Sequence, residues 1–206
     1  MLDIVLLIAV VVLPAIILHE IAHGMMALAF GDSTARDSGR LTLNPIKHLD
    51  LVGSLIVPGF FYLMFVVGMM KTLMLFGWAK PVPVNTERLK SKRLGMACVA
   101  LAGPVINLLI AVFFVQLYRM PVFNDINHVI MWGIFFNVML AVFNMLPIPP
   151  LDGSRIVMSM LPQALARSFV KTEKFGFIIL VILLQLGLLE FLYPLISQII
   201  NLLGAV

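Results

Sequence analysis

Five long apolar runs dominate this chain and leave few folds open to it. They cover residues 4–30, 51–76, 94–118, 126–146 and 175–203. A helix needs about 20 apolar residues to cross the hydrocarbon core of a bilayer, and the first four runs reach that length. The fifth is interrupted near Glu190 and Pro194, so it is either one long tilted helix or two short segments. The chain is 62% hydrophobic and only 12% charged, with a mean hydropathy of +1.09. A soluble domain of 206 residues requires far more polar surface. Within the runs only helices are expected, because lipid cannot satisfy open backbone groups. The expected fold is an all-α polytopic membrane protein with about five to six transmembrane or re-entrant segments, forming a single domain over residues 1–206.

The polar connections carry the charge. Residues 31–50, 77–93 and 152–174 hold 12 of the 14 Lys and Arg residues. The net charge of +4 therefore reads as membrane orientation, with these segments on the cytoplasmic side, and no nucleic-acid partner is expected. That placement creates a parity problem. If 31–50 and 77–93 share one side, residues 51–76 cannot cross once. They form a re-entrant segment bent at Pro58-Gly59 or Gly68, or the charge rule is locally broken. Cys98 is the sole cysteine, so no internal disulfide forms. The first run is not expected to be a cleaved signal peptide, since it is too long and is preceded by Asp3 without a basic residue.

Inside the first run stands His19-Glu20-Ile21-Ala22-His23. At about 100° per residue, the two histidines lie one turn apart on one helix face, about 40° from each other. That spacing lets two imidazoles reach one Zn²⁺. Glu20 stands beside them, placed as a general acid/base toward water at the metal. Ionisable residues deep in a membrane helix cost roughly 2.5–3.5 kcal/mol each or more, so they are functional candidates by default. The alternative is three polar side chains satisfied by neighbouring helices.

A catalytic zinc takes three protein ligands and keeps one position open. Among the remaining carboxylates Asp152 stands out. It follows Pro147, Pro149 and Pro150 and precedes Gly153, where the chain cannot continue a helix. An unwound stretch at the end of a membrane helix can turn a carboxylate toward a protein-lined cavity. Either Asp152 is the third ligand, or it merely caps the next helix.

Three motifs in order carry a resemblance. His19 to His23 reads H-E-x-x-H, Gly103-Pro104-Val105-Ile106-Asn107 reads G-x-x-x-N, and Asn144 through Gly153 reads N-x-x-P-x-P-x-x-D-G. The connecting segments 39–45, 47–50 and 77–85 add to the likeness. Over about residues 15–155 the chain resembles the site-2 protease family of intramembrane zinc metalloproteases, in its short bacterial form without PDZ or CBS domains. The resemblance implies a three-helix catalytic core and one Zn²⁺ per chain held by His19, His23 and Asp152. It implies Glu20 as the catalytic glutamate and Asn144 as the residue holding substrate backbone near the metal. Asn107, on a neighbouring core helix, is grouped with Asn144 as substrate-binding. The implied substrate is the transmembrane helix of another membrane protein, cut within or near the bilayer.

Depth agrees with such a site. His19 lies about 22 Å along a helix begun at Ile4, at 1.5 Å per residue. The metal then sits inside a multi-pass cell-membrane protein, toward the cytoplasmic side. A non-catalytic membrane metal-binding or transport protein is the competing reading, but no internal repeat is visible and Glu20 would then have no task. His48 and Asp50 read as interfacial polar residues rather than a second metal site, and His128 as an interfacial histidine. Gly103-Pro104 is a hinge or a close helix contact. Residues 77–85 are an extended edge for substrate strand addition or a rigid loop anchored by Trp78.

Overall fold

The computed structural model describes residues 7–69 and 77–205. All regular structure in them is helical. Three helices are long and apolar enough to cross a membrane: α1 (Ile8–Ala29), α3 (Lys92–Tyr118) and α4 (Pro121–Asn144). Between the first two lies a shorter apolar helix, α2 (Leu51–Val66). After α4 come α5 (Asp152–Met160), α6 (Gln163–Val170), α7 (Glu173–Gln185) and α8 (Leu188–Leu202).

The core is a trio in which α3 lies against both α1 and α4. Its interface can be read from the sequence at intervals of four. On α1 the buried positions include Ala15, His19, His23 and Ala27. On α3 they include Gly95, Val99, Gly103, Asn107, Ala111 and Val115. On α4 the rows are Val129, Gly133, Asn137, Ala141 and Ile130, Ile134, Val138, Val142. Rows at i±4 are the ridges that neighbouring helices interdigitate. Seven of these eighteen residues are Gly or Ala, which permit close backbone approach in lipid, where packing rather than the hydrophobic effect drives association. The α8 row Leu192, Ile196, Ile200 closes the other face of this apolar core.

α1 opens with a π-helical turn, Ile8–Val12, closed by the Leu13 N–H on the Ile8 carbonyl. Pro14 follows immediately and has no N–H to give to the preceding turn, which explains the local widening. The H-E-x-x-H motif sits in regular helix beyond it.

The described ends of the run 51–76 bear on the parity question. α2 ends at Val66, and Gly68 just beyond it adopts a left-handed φ of +76°. Pro58 stands in the first turn of regular α-helix after the π-helical turn Leu51–Ile56, as Pro14 does after Ile8–Val12. Residues 70–76, and with them any return limb and Lys71, lie outside the described residues. The two ends of the run nevertheless meet. The Trp78 N–H donates to the Gly53 carbonyl at 3.1 Å, and Ser54 Oγ donates to the Trp78 carbonyl at 2.9 Å. A single straight helix of this length would hold its ends about 36 Å apart. Meeting ends are what a re-entrant segment requires.

The last run differs from expectation. It breaks at Gly187, φ +88°, rather than at Glu190 or Pro194. α7 and α8 meet there at 78°. Pro194 lies inside α8, which runs on through it. A glycine in the left-handed region turns the chain more sharply than a proline in a helix can.

Candidate metal centre

α1 carries His19 and His23 to its interface with α3. Both are nearly buried, at 7% and 9% exposure. Their rings stand edge to face, with centroids 4.6 Å apart. Their Nε2 atoms approach to 3.0 Å. Gly103 on α3 makes room for them. A Cβ there would lie 2.5 Å from His23 Nε2 and 2.5 Å from His19 Cε1. The Gly103-Pro104 pair is therefore a close helix contact, and the regular helix that continues through it shows no hinge.

Asp152 arrives from the other end of the site. α4 ends at Asn144, and the proline-rich turn that follows delivers Asp152 as the first residue of α5. Gly153 lets that helix start hard against the turn, since a Cβ would lie 2.2 Å from the Met145 carbonyl oxygen. α7 braces the same turn at Gly176, where a Cβ would lie 2.0 Å from the Pro149 oxygen. Asp152 does not cap α5. The cap position is Leu151, and no side-chain capping bond forms. Instead Asp152 Oδ2 lies 3.1 Å from His19 Nε2 and 3.3 Å from His23 Nε2.

These three atoms form a triangle with edges of 3.0, 3.1 and 3.3 Å. Four ligands about 2.0–2.1 Å from a tetrahedral zinc are separated by roughly 3.3 Å. The triangle is thus the size of one tetrahedral face, with a fourth position open. The protonation pattern asks for a cation there. His23 Nδ1 faces the Val99 carbonyl at 2.6 Å, which can only accept, so Nδ1 carries the proton. His19 Nδ1 faces Asn107 Oδ1 at 2.6 Å and likewise donates. With Nδ1 as the donor, a neutral ring keeps Nε2 as a lone pair directed at the carboxylate oxygen, the form in which an imidazole binds a metal. Asp152 Oδ2 is buried and has no hydrogen-bond partner. Three converging acceptors with no donor are stable only around a positive centre. Among the described residues these three form the one group of His, Cys, Asp or Glu close enough to hold a metal ion.

Glu20 is half-buried on the next position of α1. Its Oε2 accepts from the Val82 N–H at 2.8 Å. That contact ties the site to the extended segment 77–85. Trp78, Lys80 and Val82 send their N–H groups inward, to the Gly53 carbonyl, the His48 carbonyl and Glu20. Arg40 Nη2 donates back to the Lys80 carbonyl at 2.5 Å. The alternation by two is that of a strand. Pro81 and Pro83 fall on the intervening positions, which offer no N–H to an added strand. The segment is also a braced loop, since the Trp78 ring lies over Gly53 and against Phe177 at 5.0 Å.

Several residues find places not anticipated from sequence. Asn107 was expected near substrate, but it is fully buried and both amide hydrogens are committed, to the Ala15 carbonyl and to Asn137 Oδ1. It supports His19 and has no face toward a substrate. Asn137, also fully buried, escaped notice, although an amide in an apolar run was itself a signal. Asn144 is half-buried at the end of α4, its amide donating to the Leu140 carbonyl. Asp32, buried at the end of α1, accepts from Thr34 and from the Asn85 N–H at 2.6 Å. Burial pushes its carboxyl upward, but these hydrogen bonds and the Arg88 charge outweigh that and hold it below the usual carboxylate range. It pins the far end of 77–85 to α1. His48 is buried and donates to the Thr42 carbonyl, with no metal partner among the described residues. His128 is exposed.

Known proteins resemble this chain beyond the site. Residues 116–187 match Peptidase family M50. The protein named "Putative zinc metalloprotease YwhC" of Bacillus subtilis is 38% identical over 176 residues, which is 81% of this chain and 74% of that protein. The chain belongs to peptidase family M50. "Putative zinc metalloprotease Rip2" of Mycolicibacterium smegmatis is 33% identical over 177 residues, or 84% of this chain and 64% of that protein. This M50 chain thus spans less than two thirds of the length of that Rip2 relative. "Putative zinc metalloprotease MJ0611" of Methanocaldococcus jannaschii is 40% identical over 60 residues, 29% of this chain and 31% of its own. No solved structure matches significantly. Membership in M50 is membership in the site-2 protease family, which the order of the three motifs resembles, and makes the chain a metalloprotease by family.

Proposed function

We propose that this chain is an intramembrane zinc metalloprotease that hydrolyses a peptide bond in the transmembrane segment of a membrane-protein substrate. The observation that carries the reading is the triangle of His19 Nε2, His23 Nε2 and Asp152 Oδ2, three acceptors facing one point inside a helical bundle. Zinc held there supplies a Lewis acid for the scissile carbonyl and lowers the pKa of water toward neutrality.

The chain's own residues do the rest. His19 and His23 present lone pairs because their Nδ1 protons are held elsewhere. Asp152 offsets the positive charge. Glu20 takes a proton from the attacking water and passes it to the leaving amine. The Val82 N–H holds that carboxylate in place at the mouth of the site. Asn144, at the end of α4 and just before the turn that carries Asp152, is placed to hold substrate backbone beside the metal. The proline-rich turn and the segment 77–85 line the approach, where a substrate helix must unwind before its carbonyl is reachable. The three basic segments orient the centre toward the cytoplasmic side of the cell membrane. A transport role leaves the Glu20–Val82 contact without a purpose.

Co-reconstitution in liposomes with single-span substrate proteins tests the reading. Mass spectrometry of the products is expected to map the new termini inside the apolar segment, with cleavage abolished by a zinc chelator. Termini confined to the soluble flanks would rule out an intramembrane site.

A further inference from the structure

The metal-facing geometry of His19 depends on a polar chain that runs through the middle of the bundle. The Gly133 carbonyl can only accept, so it fixes the Asn137 amide nitrogen toward itself, at 2.8 Å. Asn137 Oδ1 is thereby turned toward Asn107, whose Nδ2 donates to it at 3.0 Å. The Ala15 carbonyl lies farther from the same Nδ2, at 3.3 Å, and is the weaker of its two acceptors. Asn107 Oδ1 is then the only atom left to face His19, and it accepts the Nδ1 proton at 2.6 Å. The Asn137 amide is oriented by a backbone carbonyl and the Asn107 amide chiefly by Asn137, and the last link dictates which ring nitrogen of His19 carries the proton. Both asparagines are wholly buried. Two buried amides in a membrane core are costly unless every group is paired, and here the pairing ends on His19.

We infer that Asn137 is a positioning residue of the metal centre: through Asn107 it locks His19 in the Nδ1–H tautomer and orients its ring, although Asn137 touches neither metal nor substrate. The inference rests on the proposal that His19 binds zinc. A partner on the non-ligating nitrogen raises ligand basicity and fixes the ring, and its loss weakens metal binding by about 10–100-fold. Without Asn137, the Asn107 amide keeps only the longer bond to Ala15. Its rotation then brings an NH₂ toward His19 and favours the wrong tautomer.

Asn137→Leu, which keeps the volume and removes the polar groups, tests this. Zinc affinity is measured by chelator competition, and the His19 tautomer by ¹⁵N chemical shifts of the metal-free protein. The expected result is a zinc Kd raised about 10–100-fold and a loss of the single Nδ1–H signature. Val138→Ala serves as the control, since it opens a cavity one residue along the same helix without touching the chain of amides. It is expected to leave both readouts unchanged. Asn137→Leu with wild-type affinity and tautomer would overturn the inference, as would an equal loss in Val138→Ala. If the wild-type protein itself binds no zinc, the proposed metal site fails first. If wild type binds zinc and Asn137→Leu binds it equally well, only the positioning role fails.

Discussion

Glu20→Gln is expected to keep its zinc and lose its chemistry. Glutamine matches glutamate in size, and its carbonyl oxygen can still accept the Val82 N–H, so segment 77–85 stays in place. Neither histidine nor Asp152 changes. What is lost is a group able to take a proton from water and return it to the leaving amine. General acid–base catalysis of this kind is worth about 10²–10⁴-fold in rate, or roughly 3–5 kcal/mol of barrier. The measurement is the initial rate of cleavage of a co-reconstituted membrane substrate, beside zinc content. A variant with full zinc and a rate within a few-fold of wild type would remove Glu20 from the mechanism.

The second large effect is expected at a residue with no side chain. Gly103→Ala places a methyl group 2.5 Å from both imidazoles, where ordinary contact begins near 3.4 Å. The rings must retreat by almost an ångström, or α3 must separate from α1. Zinc sites tolerate ligand displacements of only about 0.2 Å. The variant is therefore expected to bind zinc at least tenfold more weakly, a loss of about 1.4 kcal/mol or more, and to lose activity in proportion. Chelator competition reads the first quantity directly. Val105→Ala, exposed two residues further along α3, is the matched control and is expected to change neither. Wild-type affinity in Gly103→Ala would show that the helices do not approach as closely as described here.

The two predictions draw on different parts of the sequence, and they show what could be read from it. The H-E-x-x-H spacing was sufficient for His19 and His23, because helical geometry alone puts positions i and i+4 on one face. The depth of that motif in an apolar run marked it as a functional candidate as well. Asp152 was legible as a candidate only. The choice between ligand and helix cap depended on where a proline-rich turn sends the chain, and Leu151 occupies the cap position. Gly103 was visible as half of a small-residue motif, but the neighbours a Cβ would strike belong to another helix. Asn137 went unread because an isolated amide in a membrane helix has no local partner in the sequence; its partners are 30 residues away on α3 and four residues back on its own backbone.

The same contrast holds for the fold. Lengths of apolar runs located the membrane helices well, since the bilayer sets a minimum length. Breaks were harder. Pro194 looked like the interruption of the last run, yet Gly187 makes it, because only a left-handed residue turns the chain by 78° within three residues. For residues 51–76 the distribution of basic residues raised the question, and the contact of Trp78 with Gly53 and Ser54 brings the ends of the run together as a re-entrant segment requires. Segment 77–85 was readable as extended from its prolines. Its bond to Glu20 was not, since nothing local in either sequence couples positions 62 residues apart.

The central claim is that His19, His23 and Asp152 together hold one zinc ion. Metal analysis of purified protein after dialysis against a mild chelator tests it most directly, wild type against Asp152→Ala. The account predicts about one zinc per chain in the wild type and little or none in the variant, with helix content unchanged by circular dichroism. Equal zinc in both proteins, or none in either, would contradict it.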